Sequence, residues 1–175
     1  LVGSEMCIRD RQALVLLKNE NNILPLDKRQ IKKVLVTGPL ADEDNFMTSR
    51  YGPNGLETVT VLAGLRNYLK GIADVDYAKG CDIVDAGWPA TEILPAPMSE
   101  QEKHGITEAV AKADESDVII AVLGEDEYRT GESRWRTSLD LPGRQQQLLE
   151  ALHATGKPVI LVLINGQPLT VNWAN

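Results

Sequence analysis

The feature that most constrains the fold is the run 117–123, DVIIAVL, which is almost entirely β-branched or aliphatic. Such a run suits a strand that is buried on both faces, as the central strands of a parallel sheet are. Other short runs rich in valine or isoleucine have the same character. Together they predict five strands, at residues 15–18, 34–37, 75–78, 118–123 and 159–164.

Three segments between these runs have the apolar spacing of amphipathic helices. The first is 61–69, and the second is 100–113, where Ser99 and Glu102 form a capping box. The third follows Pro142. Because strands that alternate with helices indicate βαβ units, the fold class is predicted to be α/β, with a mostly parallel sheet sandwiched by helices.

One stretch departs from this alternation. Residues 80–97 are interrupted by Gly87, Pro89 and Pro95, which exclude a long regular element. We predict a surface excursion there. Trp88 within it is expected to pack on the domain's own surface rather than to line a ligand groove.

The loop 124–142, GEDEYRTGESRWRTSLDLP, follows the predicted central strand. In open α/β sheets, ligands bind at the carboxyl ends of the strands. The loop is longer than a usual connection, which favours a function or disorder, and it contains aromatic residues that disordered segments lack. We therefore predict an ordered, functional loop rather than a merely solvated, salt-bridged connection. Six charged residues are placed to meet a substrate: Glu125, Asp126, Glu127, Glu132, Arg134 and Arg136.

Charge and cysteine content exclude several classes of protein. The net charge is −7, which argues against nucleic acid or an anionic membrane surface as a partner. Residues 1–11, LVGSEMCIRDR, resemble an in-frame translation of a sequencing-library adapter, so the domain is expected to span 12–175. Cys7 lies in that stretch, which leaves Cys81 as a predicted buried apolar residue without a disulfide partner.

No motif for a cofactor is present. The turn after the 34–37 strand, GPLADED, lacks the glycines of a dinucleotide site, and neither a P-loop nor a G-x-S-x-G nucleophile elbow occurs. The two histidines, His104 and His153, have no second histidine or cysteine near them in sequence. We predict no cofactor and no metal site.

The ordered series of motifs in this chain resembles the C-terminal α/β sandwich domain of glycoside hydrolase family 3, and is most similar to the bacterial periplasmic type of β-glucosidase. The resemblance covers nearly all of 12–173. Its landmarks are ALVLLKNENNILPL at 13–26, VLVTGPLAD at 34–42, TVTVLAGLR at 58–66, VDYAKGCD at 75–82, SDVIIAVLGE at 116–125, GESRWRTSLDLPGRQQQLL at 131–149 and GKPVILVLINGQPL at 156–169.

The resemblance implies a retaining exo-β-glycosidase. In such two-domain enzymes an N-terminal TIM barrel carries the aspartate nucleophile, and the sandwich domain supplies the general acid/base, which maps by position to Glu132. A retaining pair needs its carboxyls about 5 to 5.5 Å apart, and desolvation against Trp135 is expected to help Glu132 keep its proton. Glu125 is the rival carboxylate, which could instead fix the loop by accepting backbone N–H bonds.

The resemblance also suggests residues that bind substrate. Arg136 matches a recurrent family arginine and is expected to pair with a carboxylate or hold the loop. Tyr51 stands where some relatives place a tryptophan of the aglycone subsite, so Tyr51, Trp135 and Arg136 are the predicted substrate-binding residues. The expected partners are a β-glucoside or oligosaccharide and the N-terminal TIM barrel of the same full-length chain.

Three further expectations come with the resemblance. Without the barrel the fragment is expected to be inactive, and its sheet to be incomplete at the C-terminal end. A periplasmic or secreted location is expected. The alternatives are a β-xylosidase or other family 3 exo-glycosidase, a non-catalytic carbohydrate-binding paralogue and, from another class, a flavodoxin-like binding domain, which no loop supports.

Overall fold

In the computed structural model, which describes residues 13–44 and 57–174, parallel strands form one four-stranded sheet. The strands are β1 (Lys33–Thr37), β2 (Asp74–Ala78), β3 (Val118–Gly124) and β4 (Val159–Ile164), in the spatial order β2-β1-β3-β4. The helices between them are α1 (Val61–Tyr68), α2 (Glu100–Asp114) and α3 (Gln145–His153). Short 3-10 helices occupy Glu20–Asn22, Ala90–Glu92 and Asn172–Ala174. The α/β prediction is confirmed, as are four of the five predicted strands.

The sheet separates two apolar clusters because its strands alternate their side chains between the two faces. Leu35 and Ile119 lie in the cluster that α2 and α3 cover. Val36 and Val122 lie in the opposite cluster with Leu62 of α1. All seven residues of β3 are buried, so β3 carries both layers of the core.

The strand predicted at 15–18 is wrong. Residues 14–19 have no regular structure, and the side chains of Leu14, Val15, Leu16 and Leu17 are 65–80% exposed. A strand requires a hydrogen-bonded neighbour, and the outer strands β2 and β4 of the described sheet do not pair with this segment. The apolar residue types alone suggested a strand.

The start of α2 follows the predicted capping box. The Ser99 side chain accepts a hydrogen bond from the Glu102 N–H at 3.2 Å, and the Glu102 carboxylate accepts one from the Ser99 N–H at 2.6 Å. Within residues 13–44 and 57–174, no helix has the length and apolar character needed to cross a membrane.

The end of β3 is fixed by a buried glutamine. The Gln145 side chain accepts from the Gly124 N–H at 2.8 Å and donates to the Gly124 C=O at 2.9 Å. It also donates to the Ile83 C=O at 3.0 Å. Gly124 has φ +141°, and a Cβ there would lie 1.8 Å from the Ile164 carbonyl oxygen. Only glycine fits at this position, and the loop that follows therefore begins at a fixed point.

We expect Gly124→Ala to lower the free energy of unfolding by about 3 kcal/mol or more, since the added methyl group meets backbone atoms that cannot move aside. Gly156→Ala is the matched control, because Gly156 also has positive φ but a Cβ there meets nothing within 4 Å. It should cost only about 1 kcal/mol, the price of the left-handed conformation. Urea unfolding of both variants measures the difference; equal losses would contradict the close contact.

Candidate active site

Three segments meet at the carboxyl edge of the sheet. They are the loop after β3, the loop after β4 and the excursion between β2 and α2. The Gln167 amide donates to Glu125 Oε1 at 2.7 Å, which joins the first two. Arg136 Nε donates to Glu92 Oε1 at 3.0 Å, which joins the first and third. The predicted location of the site, outside the carboxyl end of the central strand, is where these polar groups converge.

Arg136 is the centre of this polar cluster. Its Nη1 pairs with Glu125 Oε1, its Nε with Glu92, and its Nη2 donates to the Asp140 C=O at 2.5 Å. The side chains of Arg136, Glu125 and Glu92 are only 3%, 0% and 8% exposed. One guanidinium thus lies between two buried carboxylates. Its donors point to protein oxygens, which favours a structural role for Arg136 over a contact with substrate.

Glu92 binds two successive residues of the loop. Its Oε2 accepts from the Thr137 N–H at 3.0 Å and from the Thr137 hydroxyl at 2.7 Å, while Oε1 faces Arg136. Burial alone would raise the pKa of the Glu92 carboxyl. The hydrogen bonds from Thr137 and Arg136 together outweigh burial and hold that pKa below its ordinary value of 4.5.

Glu125 is buried rather than presented to solvent. Its side chain is fully buried, and its Oε1 accepts from Arg136 and Gln167. Its other oxygen, Oε2, has no hydrogen-bond partner in the described part of the chain. The alternative role considered for Glu125, fixing the loop, agrees with this geometry, although side chains rather than backbone N–H groups supply the bonds.

Trp88 is half-buried against two arginines of its own domain and also lines a small cavity, so it does not lie only on the surface as predicted. The guanidinium carbons of Arg129 and Arg136 lie 5.3 and 5.7 Å from the centre of its ring, within the range of cation–π contact. Arg129 also pairs with Asp126, and the Thr130 hydroxyl donates to the Asp126 C=O at 3.2 Å. The start of the loop is therefore held by its own ion pair.

Residues 131–135 form an exposed arm at the outer end of the loop. The Arg134 N–H donates to the Gly131 C=O at 3.2 Å, which closes a β-turn around Glu132 and Ser133. Ser133 has φ +62°, the left-handed region that a non-glycine residue adopts at a cost. Glu132 therefore lies at the tip of the arm, outside the apolar core.

The structure separates the other predicted site residues. The Trp135 residue is 90% exposed, and Glu132 is exposed as well. Arg134 is exposed on the same arm. Tyr51 lies outside the described residues, as do residues 1–11. The structure brings Glu125 and Arg136 together in a buried pair, whereas Glu132 lies on the exposed arm.

A cavity of about 160 Å³ lies between the excursion and the end of the loop, lined in part by Asp85, Trp88, Glu92, Arg136 and Asp140. Typical small-molecule sites are about 300 Å³ or larger. This cavity is therefore smaller than a typical small-molecule site.

Sequence reasoning missed Glu92, Gln145 and Gln167. Glu92 stands in an irregular stretch without any pattern that marks it. Gln145 was detectable, because it precedes Leu148, Leu149 and Leu152 at the spacing i, i+3, i+4, i+7 of a buried helix face, and a buried polar group needs partners. Cys81 is buried as predicted, and burial raises the pKa of its thiol to about 12.

The parallel sheet between two layers of helix defines this chain as a domain of the α/β sandwich class. The profile of the glycosyl hydrolase family 3 C-terminal domain matches residues 14–175. The chain belongs to that family.

Matches to individual proteins support the family assignment. The chain is 40% identical over 168 residues to a β-xylosidase of Formosa agariphila, covering 93% of this chain and 21% of that protein. It is 40% identical over 170 residues to a periplasmic β-glucosidase of Salmonella typhimurium, covering 92% and 22%. A solved β-glucosidase from Erythrobacter marinus is 38% identical with a TM-score of 0.73, covering 89% and 22%. The chain thus spans about a fifth of the length of these relatives.

We expect Glu125→Ala to lower the free energy of unfolding by about 3 kcal/mol, because it opens a cavity and leaves Arg136 Nη1 and the Gln167 amide without their buried acceptor. Glu100→Ala is the control, since the Glu100 side chain is 90% exposed in its pair with Lys103. Its effect should stay within about 0.5 kcal/mol. Urea unfolding distinguishes them, and a loss below about 1 kcal/mol for Glu125→Ala would contradict a buried pair.

The contribution of Glu92 to stability should depend on pH. Its pKa is lower in the folded than in the unfolded chain, so the stabilisation is present above 4.5 and is lost as the pH falls below that value. The difference in unfolding free energy between wild type and Glu92→Gln should therefore be constant at neutral pH and shrink in acid. Urea unfolding at a series of pH values measures it. A difference that does not change with pH would show that the charge of Glu92 does not contribute to stability.

Proposed function

We propose that this chain is the C-terminal sandwich domain, spanning 12–175, of a retaining exo-β-glucosidase, and that Glu132 is its general acid/base. The observation that carries the proposal is the position of Glu132 at the tip of an exposed arm whose flanking residues are anchored. A proton donor for a sugar held elsewhere must reach outward from its own domain. Glu132 does so, whereas the side chain of Glu125 is fully buried and bound to Arg136 and Gln167.

The proposed reaction uses two carboxyl groups from two domains. Glu132 protonates the leaving glycosidic oxygen while an aspartate of a TIM-barrel domain attacks the sugar, and Glu132 then activates water against the glycosyl-enzyme. The length of the relatives supports a further domain, since this chain covers about a fifth of them. Desolvation of Glu132 would come from that domain, because its own chain leaves it exposed.

A β-xylosidase is the second candidate, and the 40% identity to the Formosa agariphila enzyme favours it as strongly as the Salmonella typhimurium relative favours a glucosidase. Comparing kcat/KM on phenyl β-glucoside and phenyl β-xyloside separates the two. The name of the Salmonella relative also supports a periplasmic or secreted location.

A full-length enzyme in which this chain replaces the corresponding segment of the Salmonella relative would test the proposal. Glu132→Ala should lower kcat/KM about 100-fold or more for phenyl β-glucoside, which has a poor leaving group. For dinitrophenyl β-glucoside the loss should be only a few-fold, because that leaving group needs no proton. Added azide should restore turnover and yield β-glucosyl azide.

Other outcomes decide against parts of the proposal. If both substrates lose activity equally and azide restores nothing, Glu132 is not the proton donor. If the parent enzyme carrying this chain is inert on every glycoside, a non-catalytic carbohydrate-binding role takes its place. The 175-residue chain assayed alone serves as the negative control, since it lacks a nucleophile domain in this scheme.

A further inference from the structure

We infer that Glu92, on the excursion, is a positioning residue that sets the direction in which the arm presents Glu132. The inference rests on the proposed function, since it concerns the same arm. Glu92 lies forty residues before Glu132 in sequence and carries no motif. Its carboxylate connects it to the two residues that follow the arm.

Both carboxylate oxygens of Glu92 accept hydrogen bonds from the two residues that follow the arm. We call this the descending side of the arm, and the residues before it the ascending side. Oε1 accepts from Arg136 Nε at 3.0 Å, and Oε2 accepts from the N–H and the hydroxyl of Thr137 at 3.0 and 2.7 Å. One nearly buried carboxylate thus fixes a side chain, a backbone amide and a hydroxyl of two adjacent residues. Charge-assisted bonds of this kind are strong and directional.

Glu92 is itself held in place. We call residues 83–96 the brace. At one end of the brace the Ile83 C=O accepts from Gln145 at 3.0 Å, and at the other end the Ala96 C=O accepts from Arg144 at 2.8 Å. Gln145 and Arg144 are both buried, with exposures of 0% and 8%. The brace is therefore tied at both ends to the start of α3.

Hydrogen bonds within the brace also restrain its conformation. The Thr91 hydroxyl donates one shared hydrogen bond to the Asp85 carboxylate, whose two oxygens lie 2.9 and 3.0 Å from it, and the Gly87 N–H donates to Asp85 at 2.7 Å. Trp88 lies within cation–π distance of Arg136. Glu92 thus projects from a segment that cannot move freely relative to α3.

The arm has one anchor on each side. On the ascending side, Asp126 pairs with Arg129 and binds Thr130, with contacts local to the loop. On the descending side, Arg136 and Thr137 are the first residues after the arm, and Glu92 binds both. Residues 131–135 between these anchors are exposed. Glu92 therefore contributes, together with Glu125 and the Asp140 C=O, to fixing the descending anchor and with it the position of Glu132.

This arrangement matters for proton transfer because a donor must lie within hydrogen-bonding reach of the leaving oxygen. A displacement of about 1 Å can cost about 100-fold in rate. Loss of the Glu92 contacts should therefore impair the step that needs a proton, while a substrate whose leaving group needs none should react almost normally. A purely structural role would affect both substrates alike.

The test uses the same full-length enzyme and pair of aryl glucosides as the Glu132 experiment. Glu92→Ala should lower kcat/KM for phenyl β-glucoside about 10- to 100-fold and for dinitrophenyl β-glucoside by less than about 3-fold. Glu92→Gln, which keeps the shape and can still accept from Thr137, should lie between wild type and Glu92→Ala. Glu100→Ala is the matched control, because it removes an exposed carboxylate from the neighbouring helix α2.

A double-mutant cycle makes the test specific. In an enzyme that already carries Glu132→Ala, adding Glu92→Ala should change neither substrate by more than about 2-fold, because a residue that acts through Glu132 has nothing left to position. Activity on the dinitrophenyl substrate reports that each variant is folded. Should Glu92→Ala fail to fold, Glu92→Gln carries the same cycle.

The outcomes separate the inference from the proposal beneath it. If Glu132→Ala shows the leaving-group pattern while the Glu92 variants lower both substrates equally, or lower them further in the Glu132→Ala background, the positioning role is overturned and the acid/base assignment stands. If Glu132→Ala lacks the pattern, the assignment of Glu132 fails and the positioning role fails with it.

Discussion

Burial of β3 on both faces is the constraint on which the rest of this domain depends. Seven consecutive buried residues leave no room for a functional polar side chain along the strand, so polar chemistry begins only where the strand ends. That end is defined by Gly124, which approaches β4 too closely for any side chain, and by the Gln145 amide, which pairs with both of its backbone groups. The loop that carries the candidate acid/base thus leaves a point whose position is determined by the core.

Beyond Gly124, buried ion pairs rather than apolar contacts hold the loop in place. Arg136 between Glu125 and Glu92 links the loop after β3 to the excursion, and Gln167 adds the loop after β4. Desolvating three ionised groups is costly, and buried ion pairs often add little net stability. They do, however, restrict geometry, because each carboxylate accepts bonds from defined donors. In this domain the ion-pair network serves to orient the loop after β3. The stability of the domain depends on every member of the network being present.

The sequence predicted the layered fold well because the strands are continuous apolar runs and the helices have a clear period. It failed at Val15–Lys18, whose residues are equally apolar, because pairing depends on neighbours that composition does not specify. Glu125, Glu132 and Arg136 were identifiable because they share one loop. The sequence did not show that Glu125 and Arg136 form a buried pair while Glu132 lies at an exposed tip. That arrangement depends on Glu92 and Gln145, which approach from other parts of the chain.

The exposed arm has a consequence for how such domains diversify. Because residues 131–135 are solvent-exposed and the chain is anchored immediately before and after them, side chains of the arm other than Glu132 can be replaced without disturbing the core or the ion-pair network. Mutations at the anchors, by contrast, remove contacts that hold the loop to the rest of the domain. Sequence variation in such domains is therefore expected to concentrate on the arm, at little risk to the integrity of the scaffold.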